Sequence, residues 1–270
     1  MTDDRLLLDV RELTVRFPTS DGVVQAVSDV SFSLSRGETL GVVGESGSGK
    51  SVSNLAIMGL LNRQRTAIAG EVLFKGRDLL TLPPDDLRHI RGKEIAMALV
   101  HNPDILICDE PTTALDVTVQ AQIVELIEEV KREFDIGVIL VTHDLGVVAE
   151  TANSVMVMYA GRIMEYGPAD EIFERPQHPY AWGLLDSTPS IERRLDALVP
   201  IDGSPPSLLA PPSGCPFHPR CRYRFEPCPT ERPPLVAPVP EAHLDACHLP
   251  WDEKVREGTK RSVRNVGEAA

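Results

Sequence analysis

The run Gly44-Glu45-Ser46-Gly47-Ser48-Gly49-Lys50-Ser51 fits G-x-x-x-x-G-K-[ST] at every fixed position. Glycines at that spacing let the backbone curl until successive N–H groups face inward, and a helix starting at Lys50 adds its positive end. Lys50 is placed to reach β- and γ-phosphates, and Ser51 to ligate Mg²⁺. Ile105-Leu106-Ile107-Cys108-Asp109-Glu110 reads as a buried strand that delivers two acids to its tip. Asp109 suits contact with Mg²⁺, and Glu110 can polarise a water for attack on a γ-phosphate. His143, in Val141-Thr142-His143-Asp144, follows another apolar strand. A lone histidine there is commonly structural, but the edge it occupies is where a nucleotide lies in an open α/β sheet. Four late cysteines, Cys215, Cys221, Cys228 and Cys247, are spaced C-x5-C-x6-C-x18-C. Such thiolates on proline-stiffened loops can enclose a metal or a cluster. The tight pairs usual for zinc are absent, and iron–sulfur, zinc and free thiols all stay open. Cys108, in mid-strand, reads as a buried small hydrophobe.

These groups meet only if strands deliver them to one edge. Residues 6–17 and 23–34 have strand composition and flank the turn formers Ser20-Asp21-Gly22. Residues 39–43, 105–110, 137–141 and 155–159 are short apolar runs, each fit for a strand buried on both faces. Val119, Ile123, Leu126, Ile127, Val130 and Phe134 recur at helical spacing, which predicts an amphipathic helix over 118–134. Strands alternating with helices imply a mainly parallel sheet covered on both faces, preceded by an antiparallel β portion. Eighteen of the 23 prolines lie at or after Pro168. We therefore divide the chain into an α/β nucleotide-binding domain over 1–176 and a small loop-rich, cysteine-containing appendage over 177–255. A flexible tail at 256–270 follows, its mixed-charge character beginning at Lys254.

The 270 residues carry 27 Lys+Arg against 40 Asp+Glu, a formal charge of −13. That balance argues against a nucleic-acid binder. No run reaches the eighteen or so apolar residues of a spanning helix, and the acidic start Met1-Thr2-Asp3-Asp4 lacks the pattern of a secretory signal. The expectation is a soluble cytoplasmic chain whose membrane role, if it has one, comes through a partner.

Taken together, these motifs resemble the ATP-binding subunits of ABC transporters, a P-loop NTPase fold. Gly44–Ser51 resembles their Walker A loop, Ile105–Glu110 their Walker B strand with the catalytic Glu110, Thr113-Ala114-Leu115-Asp116 their D-loop, and His143 their switch histidine. Phe17 falls where an aromatic stacks on adenine, and equally reads as a strand core aromatic. Two later stretches, Tyr166-Gly167-Pro168-Ala169-Asp170-Glu171-Ile172-Phe173 and His178-Pro179-Tyr180-Ala181-Trp182-Gly183-Leu184-Leu185, are similar to the dipeptide/oligopeptide/nickel importer branch, as is Gly214-Cys215-Pro216 through Cys247. The resemblance implies ATP and Mg²⁺ as ligands and ATP hydrolysis that powers solute import, with peptide favoured. It further implies a [4Fe–4S] cluster on Cys215, Cys221, Cys228 and Cys247. The implied partners are a second ATP-binding subunit, two membrane-spanning permease subunits and an external solute-binding protein, at the cytoplasmic face of the cell membrane.

One departure from that family is plain. There is no Gly-Gly pair, no Gln between Gln64 and Gln120, and no Ser from 54 to 153. The glutamine loop, helical subdomain and L-S-G-G-Q-type signature of the family are thus missing, with a junction expected at Met97. Three roles follow: a transport ATPase, an ATP-binding subunit without coupled hydrolysis, or a stand-alone nucleotide- or iron–sulfur-sensing regulator.

Overall fold

The computed structural model describes residues 5–96, 103–113, 115–188, 200–237 and 243–261. The junction expected at Met97 lies outside them. The chain opens with two long antiparallel strands, β1 (Leu6–Thr19) and β2 (Gly22–Ser35), joined by a tight turn. Leu8, Val10, Leu13 and Val15 of β1, with Val27, Val30, Phe32 and Leu34 of β2, are buried on a common core. Two strands further along complete a four-stranded antiparallel sheet: β4 (Ala67–Phe74) pairs with β1, and β5 (Arg77–Asp78) with β4.

The second sheet has seven strands. Its middle is β3 (Thr39–Val43), flanked by β8 (Gly137–Val141) and β9 (Ser154–Tyr159), both parallel to it. Every residue of these three strands is buried, as expected where helices or sheets cover both faces. Outside β8 lies β7 (Ile105–Asp109), then the two-residue edge strand β6 (Ile95–Ala96), all parallel. On the other side β10 (Arg162–Pro168) and β11 (Leu244–Asp245) run antiparallel. Helix α1 (Lys50–Ile57) follows β3, and α2 (Pro84–Lys93) precedes β6. Helix α3 (Val117–Phe134) connects β7 to β8, and α4 (Leu145–Thr151) connects β8 to β9. The mainly parallel sheet, the antiparallel N-terminal portion and the amphipathic helix therefore stand as expected.

The segment expected as a loop-rich appendage is packed into the main core. After α5 (Ala169–Glu174), helix α6 (Pro179–Ser187) buries Tyr180 and Trp182 almost completely. Tyr180, Cys215 and Phe217 share one apolar cluster with Val43, Val155 and Val157 of the central strands. Strand β11 extends the nucleotide-side sheet itself. The tail expectation also needs correction for its first part, because Trp251–Thr259 forms helix α7. Its Lys254 is buried on Asp245 of β11, with Nζ 2.7 Å from Oδ1 and 2.9 Å from Oδ2. A charge-rich stretch is ordered here because its one buried cation meets a buried anion. Residues 262–270 lie outside the described part of the chain.

Candidate nucleotide site

The loop after β3 is shaped by glycines that no other residue could replace without movement. Gly44 has φ +146°, and a Cβ there would sit 2.2 Å from the carbonyl oxygen of Met158. Gly49 has φ +104°, and a Cβ would lie 2.5 Å from the Ala26 carbonyl. Both contacts are far inside van der Waals distance, so the loop must stay bare to lie between β9 and β2. Lys50, the first residue of α1, is 6% exposed. Its Nζ donates to the carbonyls of Gly44 (2.7 Å) and Glu45 (3.0 Å). Burial lowers its pKa, against the attraction of Glu110, Asp109 and Glu45. The Ser48 hydroxyl is buried without a hydrogen-bond partner. A buried ammonium on loop carbonyls and a buried hydroxyl of the same loop are groups able to bind an anion.

The acids arrive from the next strands. Asp109 ends β7, and its Oδ1 accepts from Ser51 Oγ at 3.2 Å. Two oxygens this close together fit a shared Mg²⁺. Glu110 has φ +50°, a left-handed conformation uncommon for a non-glycine residue, and its N–H donates to the carbonyl of Val141 on β8. That bend turns its carboxylate off the strand axis. Oε2 accepts from Thr113 Oγ1 at 2.8 Å, and Oε1 stands 3.7 Å from His143 Nδ1. Thus Lys50, Ser51, Asp109, Glu110 and His143 gather along the carboxyl ends of β3, β8 and β7.

The remaining expected residues are placed less directly. Asp116 caps α3, with Oδ1 accepting from Thr118 N and Val119 N at 3.0 Å each. Phe17 is half-buried near the β1–β2 turn and packs against the core, in line with its strand-core reading. Sequence reasoning missed two residues that touch the loop, Tyr180 and Arg220. Tyr180 Oη accepts from Glu45 N at 2.8 Å, and Arg220 donates to both Glu45 carboxylate oxygens and to Tyr159 Oη. No local pattern announces contacts across 135 and 175 residues.

Cys215, Cys221, Cys228 and Cys247 line one small cavity together with His178, His218 and His248. Burial pushes the thiols of Cys215 up to about 11 and of Cys221 and Cys247 up to about 12. Among the described residues, no group of three or more His, Cys, Asp or Glu side chains is arranged to hold a metal ion.

Comparison with known proteins gives the context. A family model described as "ABC transporter" matches residues 27–94, and one described as "Oligopeptide/dipeptide transporter, C-terminal region" matches 164–228. The dimeric MJ0796 bacterial ABC transporter cassette superposes with a TM-score of 0.55 at 19% identity, covering 60% of this chain and 99% of that one, which establishes the fold. The Dipeptide transport ATP-binding protein DppD of Bacillus subtilis is 41% identical over 296 residues, covering 82% of this chain and 88% of that protein. The Oligopeptide transport ATP-binding protein OppD of Haemophilus influenzae is 42% identical over 295 residues, covering 82% of this chain and 91% of that protein. Since 82% of 270 residues is about 221, roughly 74 positions of that 295-residue alignment have no residue of this chain. The phosphate loop, the paired acids and the C-terminal segment are thus those of one lineage: the chain belongs to the family of ATP-binding proteins of oligopeptide and dipeptide ABC transporters.

Proposed function

We propose that this chain is the MgATP-binding subunit of a peptide-importing ABC transporter, with its nucleotide on the loop Gly44, Glu45, Ser46, Gly47, Ser48, Gly49, Lys50, Ser51. The observation that carries the reading is the meeting of Lys50, Ser51, Asp109, Glu110 and His143 at one sheet edge. Lys50 would leave the Gly44 and Glu45 carbonyls for phosphate oxygens. Ser51 and Asp109 would hold Mg²⁺, which when bound offsets charge building on the phosphates. Glu110 would orient the attacking water and take its proton, while Thr113 and His143 fix the carboxylate from either side. Asp116 would reach a second ATP-binding subunit from the start of α3. On this reading the remaining partners are two permease subunits and an external solute-binding protein, with the chain peripheral at the cytoplasmic face of a membrane. No helix among the described residues is long and apolar enough to cross one.

A second reading is favoured by one observation, the roughly 74 alignment positions without a counterpart. We place that gap between Ala96 and Pro103, where the glutamine loop, helical subdomain and signature motif belong. On this reading the chain binds MgATP but does not couple hydrolysis to import. Calorimetry at millimolar Mg²⁺, followed by turnover assays alone and with a complete partner subunit, separates the two. Binding with turnover and restored peptide uptake in a strain lacking the intact subunit supports the first reading. Binding without either supports the second. No binding sinks both.

The domain division at about 176, and a [4Fe–4S] cluster on Cys215, Cys221, Cys228 and Cys247, belong to the same proposal. That all four cysteines line one cavity is what supports the cluster, which would tie the loops bearing them, although among the described residues they are not arranged to hold a metal ion. Anaerobic purification with iron and sulfide analysis tests it, and protein free of both would remove it.

A further inference from the structure

The contact between Arg220 and Glu45 joins the two ends of the molecule at the phosphate loop. Arg220 closes the short 3-10 turn His218–Arg220. Its Nη1 donates to Glu45 Oε2 at 2.6 Å and its Nη2 to Oε1 at 3.1 Å, a two-point clasp. Nη1 also donates to Tyr159 Oη at 3.3 Å, and the guanidinium lies 5.8 Å over that ring. On its far side Nε donates to the Asp202 carbonyl at 2.8 Å, and Nη2 to those of Ile201 and Gly203 at 3.2 and 3.1 Å. The side chain is only 6% exposed. Such a fork has one geometry available to it, set by carbonyls that do not belong to the loop.

Glu45 is equally committed. Its N–H donates to Tyr180 Oη, its carbonyl accepts from Lys50 Nζ, and its carboxylate is filled by Arg220. The phosphate-cradling pattern asks for no particular residue at this position. An acid here adds negative charge where a triphosphate must settle, and it already acts on Lys50. Left unpaired in a half-buried site, that charge would oppose the ligand and be drawn toward Lys50, with which it already interacts.

Building on the nucleotide-binding reading above, we propose that Arg220 is a positioning residue of the phosphate loop. It neutralises Glu45 and holds the carboxylate away from Lys50, so the cysteine-bearing segment sets the affinity for MgATP. The segment acts as part of the nucleotide site, although no atom of it need touch the nucleotide.

The test is MgATP affinity by calorimetry on the full chain, with Arg220→Ala, Arg220→Lys, Glu45→Gln and the double variant Arg220→Ala/Glu45→Gln. Arg220→Ala should weaken binding roughly 5- to 100-fold, the range of an ordinary site-to-site coupling. Arg220→Lys, a point charge without the fork, should fall between it and the parent. Glu45→Gln should tighten binding, and the double variant should bind nearly as well as Glu45→Gln alone. That rescue is the readout a purely structural role cannot produce, since Glu45→Gln restores no packing around position 220. Equal affinity of Arg220→Ala and the parent, or a loss that Glu45→Gln leaves in place, overturns the proposal. If Arg220→Ala does not fold, Arg220→Lys with and without Glu45→Gln decides by the same criterion. A parent chain that ignores MgATP refutes the nucleotide reading itself, which is a different result from a parent that binds and variants that do not differ.

Discussion

Lys50 donates to two carbonyls of the very loop that is to release it, and this makes its contribution measurable. Replacement by Ala removes the buried cation that the loop itself supplies, and a charge-assisted contact of this kind is worth about 1.5–3 kcal/mol. MgATP affinity of Lys50→Ala should therefore drop by at least about tenfold by calorimetry. Glu110→Gln should do the opposite: nucleotide binding persists, while any turnover the parent shows in a phosphate-release assay falls by about 10²-fold or more. His178 offers a third residue-level test. It is fully buried, and burial followed by repulsion from Lys254 lowers its pKa to about 3 from an ordinary 6.5. Its Nδ1 accepts from Tyr180 N at 3.0 Å, a bond that needs the neutral ring. Between pH 6.5 and 3 the unfolded chain binds a proton that the folded chain refuses, so stability falls as pH drops through that window. The urea midpoint of the parent should decline more steeply there than that of His178→Asn, whose amide caps α6 without titrating. Residues 44–51 were legible because the phosphate loop is a purely local pattern. Arg220 and Tyr180 were not, because their role exists only once residues more than a hundred positions apart are folded together.

At the level of elements, the apolar runs named their own strands: 39–43, 105–109 and 137–141 are continuous because both faces are covered. The two-residue strands β5, β6 and β11 carry no such signal and form only because a longer neighbour offers free backbone groups. Helix α7 was hidden for another reason. Its residues are mostly charged, and the buried face rests on one ion pair in place of an apolar stripe. Helix α3 shows how a functional motif can also be a structural one. Asp116, expected in a D-loop, accepts two N–H groups at the start of the helix. Asp116→Ala should cost about 1 kcal/mol in denaturant unfolding, the ordinary worth of an N-cap. Asp116→Asn, which keeps the cap, should recover most of that stability, so any loss of activity in the Asn variant reports on the carboxylate.

For the whole molecule, the decisive prediction concerns the gap proposed above between Ala96 and Pro103. Transplanting the corresponding segment of the Haemophilus influenzae relative into this position should raise ATP turnover in the presence of a complete partner subunit, with little change in MgATP affinity. The sequence disclosed this departure through residues it lacks, a kind of evidence that needs no structure. It could not disclose how the C-terminal third is used, since proline-rich composition suggests loose attachment whereas β11, Tyr180 and Phe217 are built into the main sheet and its core. That integration has a practical corollary for anyone dissecting the protein by fragments. Cutting after residue 176 would strip β10 of β11, withdraw aromatic rings from beneath the central strands and unclasp Glu45 in a single stroke. The halves should be recoverable only when co-expressed, and a soluble N-terminal piece that still bound nucleotide at parental strength would show the sheet to be self-sufficient.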